Sequence, residues 1–184
     1  MKLEEMQKKV LKLIEEVSED SSKLTDDPDI EKKLNEVINQ IQYELSRYKK
    51  IPTYIEIEVK KDDFIKFSDI EEKTKDKIYQ IDIIQGVDND IRNKYILFKE
   101  DGLAKIHYFR YPVRITDENK NNYIFELDDD ALDIMPYGVA GDVLKSDVSN
   151  NYGQIYSNRY RELLQGLDPR STVQSATFVG GYDI

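Results

Sequence analysis

Four aspartates close together carry the strongest hint of chemistry in this sequence. Asp128, Asp129, Asp130 and Asp133 fall within six positions. Hard cations such as Mg²⁺ and Ca²⁺ bind several oxygen ligands, so a metal-binding module or metal-dependent enzyme built on the Asp128–Asp133 cluster is one interpretation. The same carboxylates also suit the first turn of a helix, where the helix dipole favours negative charge. We favour the helix start and predict no metal ligand here.

Other arrangements that could support catalysis are weak. His107 is the only histidine, and it lies among Lys105, Phe109 and Tyr111 with no serine, cysteine or second histidine nearby to form a dyad. The sequence has no cysteine, so it offers neither a thiolate metal site nor a thiol nucleophile. A glycine-rich phosphate loop is also missing. We therefore predict that the protein is not an enzyme and has no catalytic residues, cofactor-binding residues or cofactor.

Composition narrows the choice of partners. The chain has 184 residues and a formal net charge of −10, so its surface repels phosphate and general nucleic-acid binding is not expected. Counting glycine but not tyrosine, about 36% of the residues are apolar, below the usual ~45–50%. Such a thin core is expected if some apolar surface is covered only on assembly. No apolar run is long enough to suggest a membrane span or a signal peptide.

Two amphipathic helices are predicted at the start of the chain. Residues 1–17 carry apolar side chains at spacings of three and four, which is typical of a helix with one buried face. Asp27 and Pro28 are typical of an N-cap and the first helical position, since Asp accepts an orphan N–H and Pro has none to lose. This second helix should end near Lys50, because Pro52 disfavours helical dihedrals in the residue before it.

The apolar period changes to two after Pro52, where Ile55, Ile57 and Val59 alternate with polar residues and predict a strand. Further strands are predicted at residues 64–67, 78–84, 95–99 and 103–111. Asp101-Gly102 is expected to form a tight hairpin between the last two of them. Residues 51–126 are therefore predicted to form an antiparallel β module.

Helical patterns return after residue 127. One helix should begin at the aspartate cluster, and Pro136 and Gly138 are expected to kink it or to break it into two pieces. A last helix should run from about residue 150 to 165 and end at Gly166. The predicted fold class is therefore α+β: a helical bundle formed by residues 1–50 and 127–166, with two N-terminal and two C-terminal helices and the β module inserted between them.

Residues 167–184 differ in composition from the rest of the chain and are predicted to form an extended C-terminal arm. This segment has few charges but is too apolar for an ordinary free tail and too short to fold alone. An extended segment of this kind gains hydrogen bonds by strand addition to another chain. Packing on its own subunit and simple disorder are the alternatives. The predicted docking anchors of the arm are Val173, Phe178, Val179, Tyr182 and Ile184.

The helical parts resemble the head-tail connectors, or portal adaptors, of tailed bacteriophages. In residues 127–147 an acidic helix start leads into two apolar residues, a proline, an aromatic residue, any residue, an apolar residue and alanine, and the stretch ends at Leu-x-x-Asp. Residues 160–168 resemble the helix that follows in such proteins, and Asp27-Pro28 also matches. The long β module is more similar to adaptors that carry a β-sandwich inserted in a helical bundle, such as the tail tubular protein A type.

This resemblance implies a structural protein of the virion neck, made in the host cytoplasm. It implies a ring of about a dozen copies stacked beneath the portal protein, in which a head-to-tail contact between two different faces of each subunit closes by rotation. Helices would lie at the ring contacts, the arm would reach the portal, and the next neck or tail protein would follow. DNA would pass through the ring without specific binding, and an acidic lumen would let it slide. No contact with a membrane is implied.

Overall fold

The fold is described for residues 1–18, 24–146 and 151–167 of a computed structural model. Within these ranges the chain forms five α-helices and two small antiparallel sheets, which confirms the predicted mixed α+β class. The helices are α1 (Leu3–Leu13), α2 (Pro28–Leu45), α3 (Phe67–Thr74), α4 (Asp129–Val143) and α5 (Tyr152–Gln165). The strands are β1 (Ile51–Val59), β2 (Phe64–Lys66), β3 (Ile78–Gln85), β4 (Asn89–Arg92), β5 (Tyr95–Phe98) and β6 (Gly102–Arg110).

The start of α2 is the one predicted from its sequence. The Asp27 carboxylate accepts hydrogen bonds from the N–H groups of Asp29 at 2.8 Å and Ile30 at 3.2 Å, and Pro28 occupies the first helical position. The helix ends at Leu45, several residues before the predicted end near Lys50. Hydrogen-bonded turns follow it, in which the N–H groups of Tyr48 and Lys49 both donate to Leu45 O.

The first helix is also shorter than its apolar pattern predicts. It ends at Leu13 because Glu15 adopts a left-handed conformation with a φ of 59°. The N–H of Glu16 then donates to Leu11 O at 3.0 Å, which satisfies a carbonyl of the last turn as in a Schellman motif. Val17, which the pattern placed on the buried stripe, is consequently exposed.

The third predicted helix, α4, forms the centre of the helical packing. It runs through Pro136 as one α-helix, so of the two predicted outcomes, a kink or a break into two pieces, the break does not occur. Helices α1, α2 and α5 pack around it, and ten of its residues are buried, two of them glycines. Gly141 allows the close approach of α5, because a Cβ atom there would lie 2.6 Å from Ser157 Oγ. Burial on several sides holds the proline turn in helical form despite its missing N–H.

The six strands form two three-stranded sheets with the orders β1-β6-β3 and β2-β5-β4. All pairings are antiparallel, as predicted. The predicted hairpin at Asp101-Gly102 is wrong, because β5 and β6 belong to different sheets and this turn carries the chain from one to the other. A two-residue turn instead joins β4 to β5 at Asn93-Lys94, where Asn93 supplies the positive φ.

Buried side chains form two separate hydrophobic cores. The larger one joins α1, α2, α4 and α5 to Ile51 and to side chains of the segment 111–127, and we call this part the helical half. The smaller one lies between the inner faces of the two sheets and is closed by Ile70 of α3. We call residues 52–110, which surround it, the β half.

Candidate interaction surfaces

The predicted docking anchors lie outside the described residues. Val173, Phe178, Val179, Tyr182 and Ile184 all belong to the segment 168–184, of which the structure describes nothing. The chain is described up to Leu167, which follows α5 and is buried in the helical core. The segment that holds the anchors is therefore attached directly to a packed part of the molecule.

The aspartate cluster forms a helix start, as we favoured. Asp128 is the N-cap residue of α4, and Asp129 and Asp130 lie in its first turn. The hydrogen bond from Lys49, with Nζ 2.6 Å from Asp130 Oδ2, lowers the pKa of Asp130. Asp133 pairs instead with Lys9 at 3.4 Å. Among the described residues, no three histidine or acidic side chains are grouped so that they could hold a metal ion.

A cleft of about 430 Å³ lies between α1, the start of α2 and the turn at residues 120–123. Its wall includes Lys2, Lys8 and Lys120 but also Glu4 and Glu31. Because both signs of charge are mixed along this wall, the cleft does not favour an anionic or a cationic ligand.

His107 lies on the outward face of the sheet β1-β6-β3. It is directly opposite Tyr54 of β1 and Ile83 of β3, and its ring centroid is 5.6 Å from that of Tyr54. Its Nε2 atom is buried and has no hydrogen-bond partner among the described residues. The residues paired with His107 across the sheet carry only a ring and an aliphatic side chain, so His107 packs against them on this face.

This outward face also carries uncovered apolar side chains. Tyr54 and Leu103 are each 55% exposed, and Ile83 is 38% exposed. Lys105 is on the same face, with its Nζ 4.0 Å from the centre of the Tyr54 ring and 3.6 Å from the Glu56 carboxylate. We call the surface formed by Tyr54, Ile83, Leu103 and Lys105 the outer β surface. Exposed rings occur there beside aliphatic groups, and aromatic residues are enriched in protein interfaces.

A second uncovered apolar pair lies on the helical half. Tyr152 and Ile155 are one turn apart on α5 and are 58% and 55% exposed. Tyr156, the residue after Ile155, packs against the helical core instead, and its hydroxyl donates a hydrogen bond to Leu13 O. We call Tyr152 and Ile155 the α5 surface. It belongs to the other half of the molecule from the outer β surface.

The tyrosines divide between buried and exposed positions. Tyr108, Tyr123 and Tyr160 are buried in the two cores, whereas Tyr54 and Tyr152 are exposed. Burial raises the pKa of Tyr123 to about 12, although a hydrogen bond with Gln42 opposes the shift. Its hydroxyl lies 2.9 Å from Gln42 Oε1, so a ring with one polar tip both fills the core and fixes α2.

One ionic contact between the helical half and the β half was not predicted from the sequence. Arg110, at the end of β6, forms two hydrogen bonds with the Glu126 carboxylate and lies 3.5 Å from Asp76. Burial acts to raise the pKa of Glu126, but the hydrogen bonds from Arg110 and from the Val113 N–H outweigh it and lower that pKa. These partners are far apart in sequence, so no local pattern could have indicated them.

No protein-family model matches this chain, and none of the curated proteins searched matches it significantly. In the described part of the chain, no helix is both long and apolar enough to cross a lipid bilayer.

Proposed function

We infer that this protein is a structural component of a bacteriophage virion, located in the neck. In this proposal, about a dozen copies form a ring that joins the portal protein to the next neck or tail protein and lets DNA pass. In this proposal the helical half is the bundle and the β half is the module inserted in it. The chain after Leu167, which is itself buried in the helical core, forms an extended arm that docks on a partner, and the protein performs no catalysis.

The observation that carries the proposal is the pair of uncovered apolar surfaces. A ring needs two different faces of one subunit that fit each other, since a rotation brings one face of each copy against the other face of the next. The outer β surface and the α5 surface lie on different halves of the molecule and both leave large apolar side chains exposed. They supply the two faces that such an assembly requires.

The resemblance supports the choice of assembly. Its longest matching stretch, residues 127–147, includes the whole of α4, and its Asp27-Pro28 match is the N-terminal start of α2. These elements carry the central packing of the helical half. The formal charge of −10 also suits a conduit, because an acidic wall releases no counterions from passing DNA and so does not hold it.

The test of this proposal is the mass of the full-length protein in solution, alone and with the portal protein of the same phage. We expect a ring-sized species that binds portal. A chain that stays monomeric at every concentration and ignores portal would contradict the proposal. Binding of Mg²⁺ that is lost in Asp130→Asn, together with turnover of a small molecule, would favour the metal-dependent alternative instead.

Deleting residues 171–184 tests the arm within the same proposal. We expect the shortened chain to stay folded, because the buried residues of both cores that the structure describes precede this segment. It should no longer enter virions, which mass spectrometry of purified particles would show. Normal incorporation of the shortened chain would contradict the docking role of the arm.

A further inference from the structure

The two sheets have four edge strands, and three of them are protected by their geometry. Strands β2 and β4 have only three and four residues, which limits pairing with another chain. Strand β3 is longer, but its register with β6 shifts twice, between Ile78 and Gln80 and between Ile81 and Ile83. Irregularities of this kind twist an edge away from further pairing. The N–H of Ile78 in β3 also donates a hydrogen bond to the Glu71 carboxylate, so it is not available to a further strand.

Strand β1 has neither the shortness nor the register shifts of the other edges, and Pro52 near its start is its one residue without an N–H. It spans nine residues, Ile51–Val59, and pairs with β6 in one unbroken register. Among the described residues, no strand pairs with its other edge. A long, regular edge presents a row of N–H and C=O groups to which an extended segment can add.

One segment of this chain matches that edge in length. Residues 171–179, with the sequence STVQSATFV, are nine consecutive residues without a charge, a proline or a glycine. Pro169 precedes this stretch and Gly180-Gly181 follows it, and such residues typically bound a strand. Threonine, valine and phenylalanine, which favour strands, make up five of the nine.

The chemistry of the β1 edge also suits this segment. The outward side chains of β1 include Tyr54, Glu56 and Glu58, and Glu56 already has Lys105 as its partner at 3.6 Å. An uncharged strand beside them adds no charge that would compete for Lys105. Apolar and ring side chains of the added strand would lie next to Tyr54, which is 55% exposed.

We propose that residues 171–179 of one copy add as a strand to the free edge of β1 in a second copy. The inference rests on the proposed ring, because it assigns the donor segment and the acceptor edge of the contact between neighbouring subunits. Donor and acceptor are different parts of one chain, so each copy can give its arm to the next and receive one from the previous copy.

Disulfide trapping tests this pairing in the full-length chain, which has no cysteine of its own. One sample carries Glu56→Cys, and a second, with an affinity tag, carries a single cysteine at one of the positions 171–179. Mixed and oxidised, they should form disulfide-linked dimers at the arm position opposite Glu56 and, less efficiently, two residues to either side of it. The positions between these should not react, because side chains on one face of a strand recur every second residue and a disulfide needs Cα atoms within about 7 Å. A disordered arm that merely touches β1 would give no alternation.

The matched control places the acceptor cysteine on the other edge of the same sheet. Gln85 of β3 and Glu56 of β1 both pair with Lys105, so they lie in the same row of the sheet. Gln85→Cys should give no alternating pattern, because the β3 edge is irregular. Glu58→Cys provides a second β1 acceptor, and circular dichroism checks that each variant is folded.

Each result of this experiment decides the matter. Alternating dimers with Glu56→Cys support the inference. Equal trapping on Gln85→Cys or no trapping on β1 between the two samples overturns it. Rings that assemble without trapping on β1 reject this pairing while the proposed neck function stands. Trapped pairs that form no ring and bind no portal leave the pairing in place and reject the neck function.

Discussion

The helical half and the β half bury their side chains to different extents. In the helical half, α4 is surrounded by three helices and eight of its side chains are buried, while Ile124, Tyr152 and Ile155 on other elements are exposed. In the β half, the inner faces of two small sheets are covered, but the outward face of β1-β6-β3 leaves Tyr54, Ile83 and Leu103 exposed. The comparison shows that the helical half is built around one enclosed helix and the β half around the space between two sheets, and that both halves keep exposed apolar side chains.

Truncating one fully buried side chain in each core gives the largest expected effect. Phe98→Ala in β5 should lower the free energy of unfolding by about 3–5 kcal/mol, and Met135→Ala in α4 by about 2–5 kcal/mol. Because the cores are separate, Phe98→Ala should increase hydrogen exchange of peptides from residues 52–110 before those from α4. Simultaneous loss of protection in both halves would show that they unfold as one unit.

Gly141→Ala sharpens the description of α4 as tightly enclosed. Alanine usually stabilises a helix relative to glycine, but here the added Cβ would lie 2.6 Å from Ser157 Oγ and 3.0 Å from the Ser157 backbone N. We expect a net destabilisation of about 1–3 kcal/mol from overpacking in thermal or chemical denaturation. Gly166→Ala is the matched control, because its nearest contact is an ordinary 3.6 Å. Equal effects at both sites would refute the close packing of α4 on α5.

The ionic contact between the halves should matter at neutral pH and fade in acid. Glu126→Gln removes the carboxylate that binds Arg110 and should cost about 1–2 kcal/mol. Because the folded state lowers the pKa of Glu126, its contribution is complete above the unfolded value of about 4.3 and is lost as the pH falls through the lower folded pKa. Denaturation of both chains at several pH values measures this difference, which should vanish in strong acid.

Glu118→Gln is the control for this pH series, since Glu118 is an exposed carboxylate of the same connecting segment. It should have little effect at any pH. A difference between Glu126→Gln and the natural chain that persists unchanged in acid would mean that the carboxylate charge is not what joins the halves.

Surface substitutions should have the smallest effect on stability and should separate folding from assembly. Leu103→Ser on the outer β surface and Ile155→Ser on the α5 surface replace side chains that are each 55% exposed. We expect changes within about 0.5 kcal/mol in unfolding, but weaker self-association in sedimentation. Glu58→Gln, which keeps the size of an exposed β1 side chain, should change neither. Unchanged association of both serine variants would remove these surfaces from the proposed contacts.

Elements with strong local signals were predictable from the sequence. Asp27-Pro28 fixed the start of α2, and alternation marked β1. The helix α3 was missed because Ile70 is its one buried residue, and β4 was missed because it has a single apolar residue, Ile91. The wrong hairpin had a different cause: Asp101-Gly102 is a valid turn signal, but which strands pair depends on the cores on which they pack.

The candidate site was less predictable than the fold. The carboxylates of Asp128–Asp130 could be assigned to a helix start, because this role depends only on neighbours in sequence. The Arg110–Glu126 pair and the outer β surface depend on which strands become neighbours, and periodicity does not contain that information. The arm anchors stay a prediction, since they lie outside the described residues.

The register of β1 with β6 has a consequence for how this chain could have acquired its shape. Ile51, where the chain enters the β half, is directly opposite Arg110, where it leaves. Adjacent strands lie only about 4.8 Å apart, so the two points could be bridged by a short loop without moving the helices. Residues 52–109 therefore form an insertion with adjacent ends, which could be exchanged for another domain or a short loop while the helical half keeps its structure.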